Sequence, residues 1–100
     1  MNTPVSGSPD AVALAHQSDP ARRRRLRWRS RRGLLENDLL LTRFLDRHED
    51  TLSDDDVVGL DQLLEAQDNE LLDLILDRVQ LQGAADTAAA ARVLAMLRQV

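Results

Sequence analysis

The sequence predicts an all-α fold, a compact five-helix bundle, and three observations support this prediction. Leucine and alanine dominate the apolar residues, with 19 and 12 copies, and both favour helix. Aromatic residues number two in 100 and β-branched residues are sparse, so the composition does not favour sheet. Apolar residues recur three and four positions apart between helix-capping side chains. The length suits one domain, which we place at residues 19–100.

Residues 1–18 mix Pro, Gly, Ser and Asn without a sustained apolar period, which is typical of a disordered tail. The first helix begins after this tail. Asp19 is a residue type that caps helices, and Pro20 suits the first helical position because its missing N–H is not needed there. We therefore expect the first helix to run from Pro20 to Ser30.

Gly33 separates the first helix from a second, which the apolar spacing places from Leu34 to His48. Ser53 then precedes three aspartates, a hydroxyl cap followed by acids that the positive end of a helix dipole stabilises. This pattern predicts the start of a third helix. The side chains expected to face the core are Leu34, Leu35, Leu40, Leu41, Phe44, Leu45 and His48 in the second helix, and Val57, Leu60, Leu63 and Leu64 in the third.

Asp68-Asn69-Glu70 repeats the capping pattern and predicts a fourth helix, which we expect Gly83 to end. Asp86-Thr87 caps a fifth. The expected core stripes are Leu71, Leu72, Ile75, Leu76 and Val79 in the fourth helix, and Val93, Leu94, Leu97 and Val100 in the fifth.

The residue inventory excludes several classes of function. Cysteine is absent, which rules out disulfides, thiolate metal sites and cysteine nucleophiles. The two histidines, His16 and His48, lie far apart without a cluster of neighbouring ligands, so we expect no metal site. Neither a secretory signal nor an apolar run of membrane-spanning length is visible, and we therefore expect a cytoplasmic protein without membrane insertion.

Charge is divided unevenly along the chain. Residues 1–32 carry eight arginines and two acids, whereas residues 33–100 carry five arginines and fifteen acids. All thirteen basic residues are arginine, whose planar guanidinium binds carboxylate and phosphate through paired hydrogen bonds. The run from Arg22 to Arg32 is either neutralised by the protein's own acids, or a surface for a protein or other anionic partner, or a nucleic-acid binder. The acids downstream disfavour nucleic acid because they repel a polyanion.

Trp28 lies among these arginines, where a core residue would have apolar neighbours at helical spacing. It is either a core anchor or a partner contact, since tryptophan and arginine dominate interface hot spots. Close by, Arg32 and Glu36 stand four residues apart around Gly33. A purely structural explanation exists, because glycine can separate two helices and Glu36 in a first turn is favoured by the dipole and can pair with Arg32.

The segment from Trp28 to Leu41 carries a more specific pattern, Trp-x-Ser-Arg-Arg-Gly-x-x-Glu-x-Asp-x-Leu-Leu. It resembles the signature of the succinate dehydrogenase assembly factor 2 family, which includes the bacterial FAD assembly factors. The Arg-Gly-x-x-Glu motif of that family falls on Arg32, Gly33 and Glu36. The similarity covers about residues 22–98 and continues through Leu52-Ser53-Asp54-Asp55, Leu63-Leu64-Glu65 and Asp68-Asn69-Glu70-Leu71-Leu72.

This resemblance implies a small five-helix assembly factor that binds the flavoprotein subunit of succinate dehydrogenase, and in bacteria also that of fumarate reductase. Such a protein promotes covalent attachment of FAD to a histidine of its client. We expect a monomer that is not an enzyme and binds no cofactor stably, since FAD belongs to the client. Two functions stay open as alternatives, an antitoxin-like partner of a membrane-associated toxin and an arginine-rich nucleic-acid binder. The expected partner-binding residues are Trp28, Arg29, Arg31, Arg32, Gly33, Glu36 and Asp38.

Overall fold

The computed structural model describes residues 15–100 of the chain. These residues form five α-helices and one short 3₁₀ helix and contain no β-strand. The all-α prediction is confirmed. In chain order the elements are α1 (Pro20–Arg29), α2 (Leu35–His48), α3 (Asp54–Leu64), α4 (Asp68–Ile75), the 3₁₀ helix (Gly83–Ala85) and α5 (Ala88–Leu97).

Three helices begin at side chains that the sequence marks as caps. Asp19 accepts hydrogen bonds from two backbone N–H groups at the start of α1, at 2.9 and 3.3 Å. Ser53 and Asp56 form a reciprocal capping box at the start of α3, with both hydrogen bonds 3.1 Å long. Thr87 caps α5. Each cap supplies an acceptor for N–H groups that have no partner inside the helix, which explains why these starts were predictable.

The bundle core draws on all five helices, and α3 and α5 form its most extensively packed pair. Their close approach depends on Gly59, since a Cβ atom there would lie 2.3 Å from the carbonyl oxygen of Ala89. The buried apolar side chains are Leu26, Leu41, Phe44, Leu45, Leu52, Val57, Leu60, Leu63, Leu71, Leu74, Ile75, Ala90, Val93, Leu94 and Leu97.

Helix α4 is shorter than the sequence predicts. The apolar spacing continues toward Gly83, but the helix ends at Ile75. Leu76 and Val79, which we assigned to its core stripe, are 48% and 41% exposed. The prediction was wrong for these two residues because the chain leaves the helix before either can reach the core.

A Schellman motif ends α4. The N–H of Arg78 donates to the carbonyl oxygen of Asp73 at 2.8 Å, and the N–H of Asp77 donates to that of Leu74 at 3.1 Å. Asp77 has a φ of 60°, the left-handed conformation that this motif requires and that glycine most often supplies. Since an aspartate occupies the position, no glycine or proline in the sequence indicated the helix end.

The segment just before α1 also differs from the prediction. Residues 15–18, assigned to the disordered tail, form a turn that packs on the start of α3. His16 is 2% exposed, and its backbone N–H donates to the carboxylate of Asp54 at 2.7 Å. Gln17 donates to the carbonyl oxygens of Glu49 and Leu52 at 2.6 and 2.9 Å. Residues 1–14 of the predicted tail lie outside the described residues.

Candidate functional site

The loop between α1 and α2, residues 30–34, carries the Arg-Arg-Gly segment and is called the motif loop below. Asp38 in the first turns of α2 fixes its conformation. One carboxylate oxygen of Asp38 accepts from the backbone N–H of Arg32 at 2.9 Å and from the Nε of Arg31 at 3.0 Å. These two hydrogen bonds hold the pKa of Asp38 below its usual value. Asp38 therefore positions the loop, in addition to any contact with a partner.

A second aspartate holds the other end of the motif loop. Asp68, the first residue of α4, accepts from the backbone N–H of Leu34 at 3.0 Å. Its carbonyl oxygen accepts from the amide nitrogen of Asn37 at 2.7 Å, and Asn37 is fully buried. Neither role was predicted from the sequence. Asp68 was visible only as part of a helix start, and nothing in the pattern indicated that α4 begins against the motif loop.

Gly33 and Glu36 are both exposed. Gly33 does not have a positive φ, and a Cβ atom there would lie 3.6 Å from the Asp68 carboxylate, an ordinary contact. Glu36 has no hydrogen bond or ion pair from its side chain within the described chain. The backbone and the internal packing therefore do not require glycine at position 33, whereas Glu36 lies in the first turn of α2, where the helix dipole favours an acid.

Arg32 does not pair with Glu36, a contact that the purely structural explanation of the motif had allowed. Its guanidinium donates instead to the backbone carbonyl of Arg29 at 3.0 Å, and its buried Nε has no hydrogen-bond partner. The motif loop turns the Arg32 side chain back toward the end of α1, which separates it from the first turn of α2.

Trp28 is a surface residue, with 77% of its area exposed. Its ring lies beside a depression of about 300 Å³ between α1 and α2, to which Arg31, Leu41 and Thr42 also contribute. Leu35, expected in the core, is 65% exposed, since it projects from the side of α2 opposite Leu41. We call the set Trp28, Arg31, Arg32, Gly33, Leu35 and Glu36 the motif surface.

The arginine-rich segment is neutralised in part by the protein's own acids. Arg27 pairs with Asp46 at 3.1 Å and with Glu49 at 3.0 Å. Arg29 makes two parallel hydrogen bonds to Asp61, at 2.9 and 3.0 Å. In contrast, five arginines of this segment have no carboxylate within 4.0 Å in the described part of the chain: Arg22, Arg23, Arg24, Arg25 and Arg32.

Other kinds of site are not evident in residues 15–100. These residues contain no cluster of three or more potential metal ligands. No described helix combines the length and apolar character that a membrane crossing requires. The candidate site is a surface that carries an exposed tryptophan, arginines and a glutamate without an ion pair among the described residues. Such a surface suits contact with another macromolecule.

Comparison with known families assigns the chain to one of them. Residues 24–100 match the family described as flavinator of succinate dehydrogenase. The chain belongs to this family. It is 57% identical over 87 residues to the FAD assembly factor SdhE of Ralstonia nicotianae, covering 87% of this chain and 92% of that protein. It is 35% identical over 77 residues to the FAD assembly factor SdhE of Acetobacter pasteurianus, covering 76% and 71% of the two chains.

A mitochondrial relative is also similar. The succinate dehydrogenase assembly factor 2 of Meyerozyma guilliermondii is 40% identical over 60 residues, which cover 59% of this chain and 44% of that protein. No solved structure matches the chain. The family assignment made from the motif is confirmed, and the chain is similar to assembly factors along most of its length.

Proposed function

We propose that the chain binds the flavoprotein subunit of succinate dehydrogenase and promotes the covalent attachment of FAD to it. The observation that carries this proposal is the match of residues 24–100 to the flavinator family. The structure supports it, because Gly33 and Glu36 of the family's motif are exposed and the side chain of Glu36 has no ion pair among the described residues. We include the flavoprotein of fumarate reductase as a second client, to which FAD is attached in the same way.

Within the motif surface, each residue type suits a different contact. Trp28 offers a large exposed ring, and Arg31 and Arg32 are donors for carboxylate or carbonyl oxygens of the client. Gly33 allows the client backbone to approach closely. Glu36 accepts hydrogen bonds from a client donor. Arg29 and Asp38 contribute from the edge, where they hold Asp61 and the motif loop.

The chain acts as an assembly factor and not as an enzyme in this proposal. Covalent attachment requires the flavin ring and a histidine of the client to be held together with water excluded, and a bound helper contributes that orientation. FAD remains a ligand of the client. We expect the chain to be a cytoplasmic monomer that binds one flavoprotein subunit at a time.

Co-expression with the flavoprotein subunit tests this function. The subunit is produced with the chain, without it, or with the Glu36→Ala variant, and covalent flavin is measured by fluorescence of the denatured subunit. We expect covalent flavin to be high only with the unaltered chain. Equal covalent flavin in all three cultures would contradict the proposal.

A further inference from the structure

A groove of about 670 Å³ lies beside α4, away from the motif surface. The end of α3, one side of α4 and residues 79–82 form its walls. Apolar side chains line it, among them Leu63, Leu74, Val79 and Leu81, together with three carboxylates, Glu65, Glu70 and Asp73. The groove is therefore apolar inside and acidic at its rim.

The loop wall of the groove has unpaired backbone groups. In the described part of the chain, no hydrogen bond reaches the N–H or carbonyl groups of residues 79–81. Gln82 is extended, with φ −140° and ψ 155°. Leu81 packs against the core, whereas Gln80 and Gln82 are exposed. Val79 is exposed as well, so this segment has a free backbone edge but no regular alternation of covered and exposed side chains.

The acidic rim is largely without cations. Asp73 has an ion pair with Arg78 at 3.4 Å, and both side chains are well exposed, at 40% and 64%, so the pair is weak. Glu65 and Glu70 have no cation within 4.0 Å among the described residues. The rim therefore favours a positively charged occupant.

We propose that this groove binds an extended segment of the flavoprotein client that combines an apolar side chain with an arginine or lysine. The segment pairs with the backbone of residues 79–81 as an added strand. Its apolar side chain packs on Leu74, and its cation lies beside Glu65 and Glu70. This inference rests on the proposed function, since it makes the groove a second contact of the same client.

Helix α4 explains why one client reaches both places. Asp68 at its first residue holds the motif loop, and Glu70 and Asp73 line the groove within the next turns. The whole helix spans only about 12 Å. The groove and the motif loop thus both contact residues of one short helix, which brings them within reach of a single client domain.

Backbone pairing is tested by a matched pair of substitutions in the full chain. Gln80→Pro removes one N–H, whereas Gln80→Ala removes only the exposed side chain. Affinity for the purified flavoprotein subunit is measured for each variant, and thermal melts establish that both are folded. We expect Gln80→Pro to bind about tenfold more weakly than Gln80→Ala, which keeps the backbone N–H. Equal affinities for both variants would overturn strand pairing.

Charge recognition is tested by neutralising two acids in the groove and, as a control, two acids elsewhere. Glu65→Gln with Glu70→Gln is expected to weaken binding about threefold at low salt, with a smaller difference at high salt. The control, Asp50→Asn with Asp55→Asn, removes the same charge from exposed sites outside the groove. Equal affinities for the two double variants would overturn the basic occupant.

A photoreactive benzoylphenylalanine at position 80 then identifies the occupant. We expect it to crosslink to a client segment containing an arginine or lysine next to an apolar residue, whereas the same group at exposed Ala95 gives no such product. A crosslink to a second copy of this chain would contradict the proposal. If the unaltered chain fails to bind the flavoprotein, the proposed function fails as well. Binding that all groove variants retain overturns this inference alone.

Discussion

The carboxylate of Asp68 accepts a hydrogen bond from the backbone N–H of Leu34 at 3.0 Å, across 34 residues of sequence. This contact joins the start of α4 to the end of the motif loop. The buried amide of Asn37 adds a second link to the same residue, at 2.7 Å. The conformation of the motif therefore depends on a residue that lies outside it, and this dependence can be measured.

Asp68→Ala should impair both stability and client binding. The substitution leaves the N–H of Leu34 without its acceptor, and hydrogen bonds to charged groups contribute about 1.5 to 3 kcal/mol. We expect a loss of that order in the free energy of unfolding, measured with denaturant. Client affinity of the folded protein should also fall, because the motif loop is no longer fixed. Asn69→Ala, at the exposed neighbouring position, is the control, and an equal effect of both variants would contradict this role.

We expect Gly33→Ala to be tolerated. Gly33→Arg should impair function without unfolding the protein. The Cβ atom of alanine finds an ordinary contact at 3.6 Å from Asp68, so Gly33→Ala should change stability by less than about 0.5 kcal/mol. Gly33→Arg places a bulky side chain where the client backbone approaches and should abolish flavin attachment. Melting curves and covalent flavin yield measure the two effects. Normal flavin yield with Gly33→Arg, at equal expression, would show that the loop does not face the client.

Local sequence signals predicted most of the fold. The starts of α1, α3 and α5 follow from Asp19, Ser53 and Thr87, because a capping side chain acts on backbone groups within three residues. The end of α4 was not predictable, since Asp77 adopts the left-handed conformation without being a glycine. The packing of His16 was also missed, because its contacts come from α3 and not from its own neighbours in sequence.

The candidate site shows the same division. The motif residues were found because their types and spacing resemble a family signature within one short segment. Asp68 was not assigned to the site, because its contact with Leu34 forms only when α4 meets the motif loop. The sequence likewise did not determine whether Trp28 lies in the core or on the surface. Its exposure depends on how α1 packs against α2.

The core assignment on α2 gives a prediction about stability alone. Leu41 and Leu45 are 1% and 2% exposed, so truncating either to alanine should lower the free energy of unfolding by about 2 to 5 kcal/mol. Leu39 is 46% exposed on the same helix, and Leu39→Ala should cost less than about 0.5 kcal/mol. Urea unfolding compares the three variants. Similar losses at Leu39 and Leu41 would mean that the buried face of α2 has been assigned wrongly.

His16 should make stability depend on pH near neutrality. Burial and the positive charge of Arg22 lower the pKa of His16 from its usual 6.5, so the unfolded chain binds a proton more readily than the folded one. The stabilisation by neutral His16 is therefore complete above about pH 6.5 and is lost as the pH falls through the folded pKa. Melting temperature should decrease over this range in the unaltered chain and more weakly in His16→Gln. Parallel curves for the two proteins would contradict the assignment.

Substitution of Trp28 distinguishes a role in client binding from a role in stabilising the fold. Its ring is 77% exposed, so Trp28→Ala should change the free energy of unfolding by less than about 0.5 kcal/mol. Because Trp28 is proposed as an interface hot spot, Trp28→Ala should weaken client binding by about 1 to 4 kcal/mol. Arg32→Ala should act in the same direction.

Arg27→Ala is the control from the same helix, because Arg27 is paired with Asp46 and Glu49 of its own chain. It should lower stability more than affinity, since its loss leaves two acids unneutralised. Thermal melts beside a titration with the flavoprotein subunit measure both quantities. If Trp28→Ala unfolds the chain while its folded fraction binds normally, the ring supports the bundle and the client lies elsewhere.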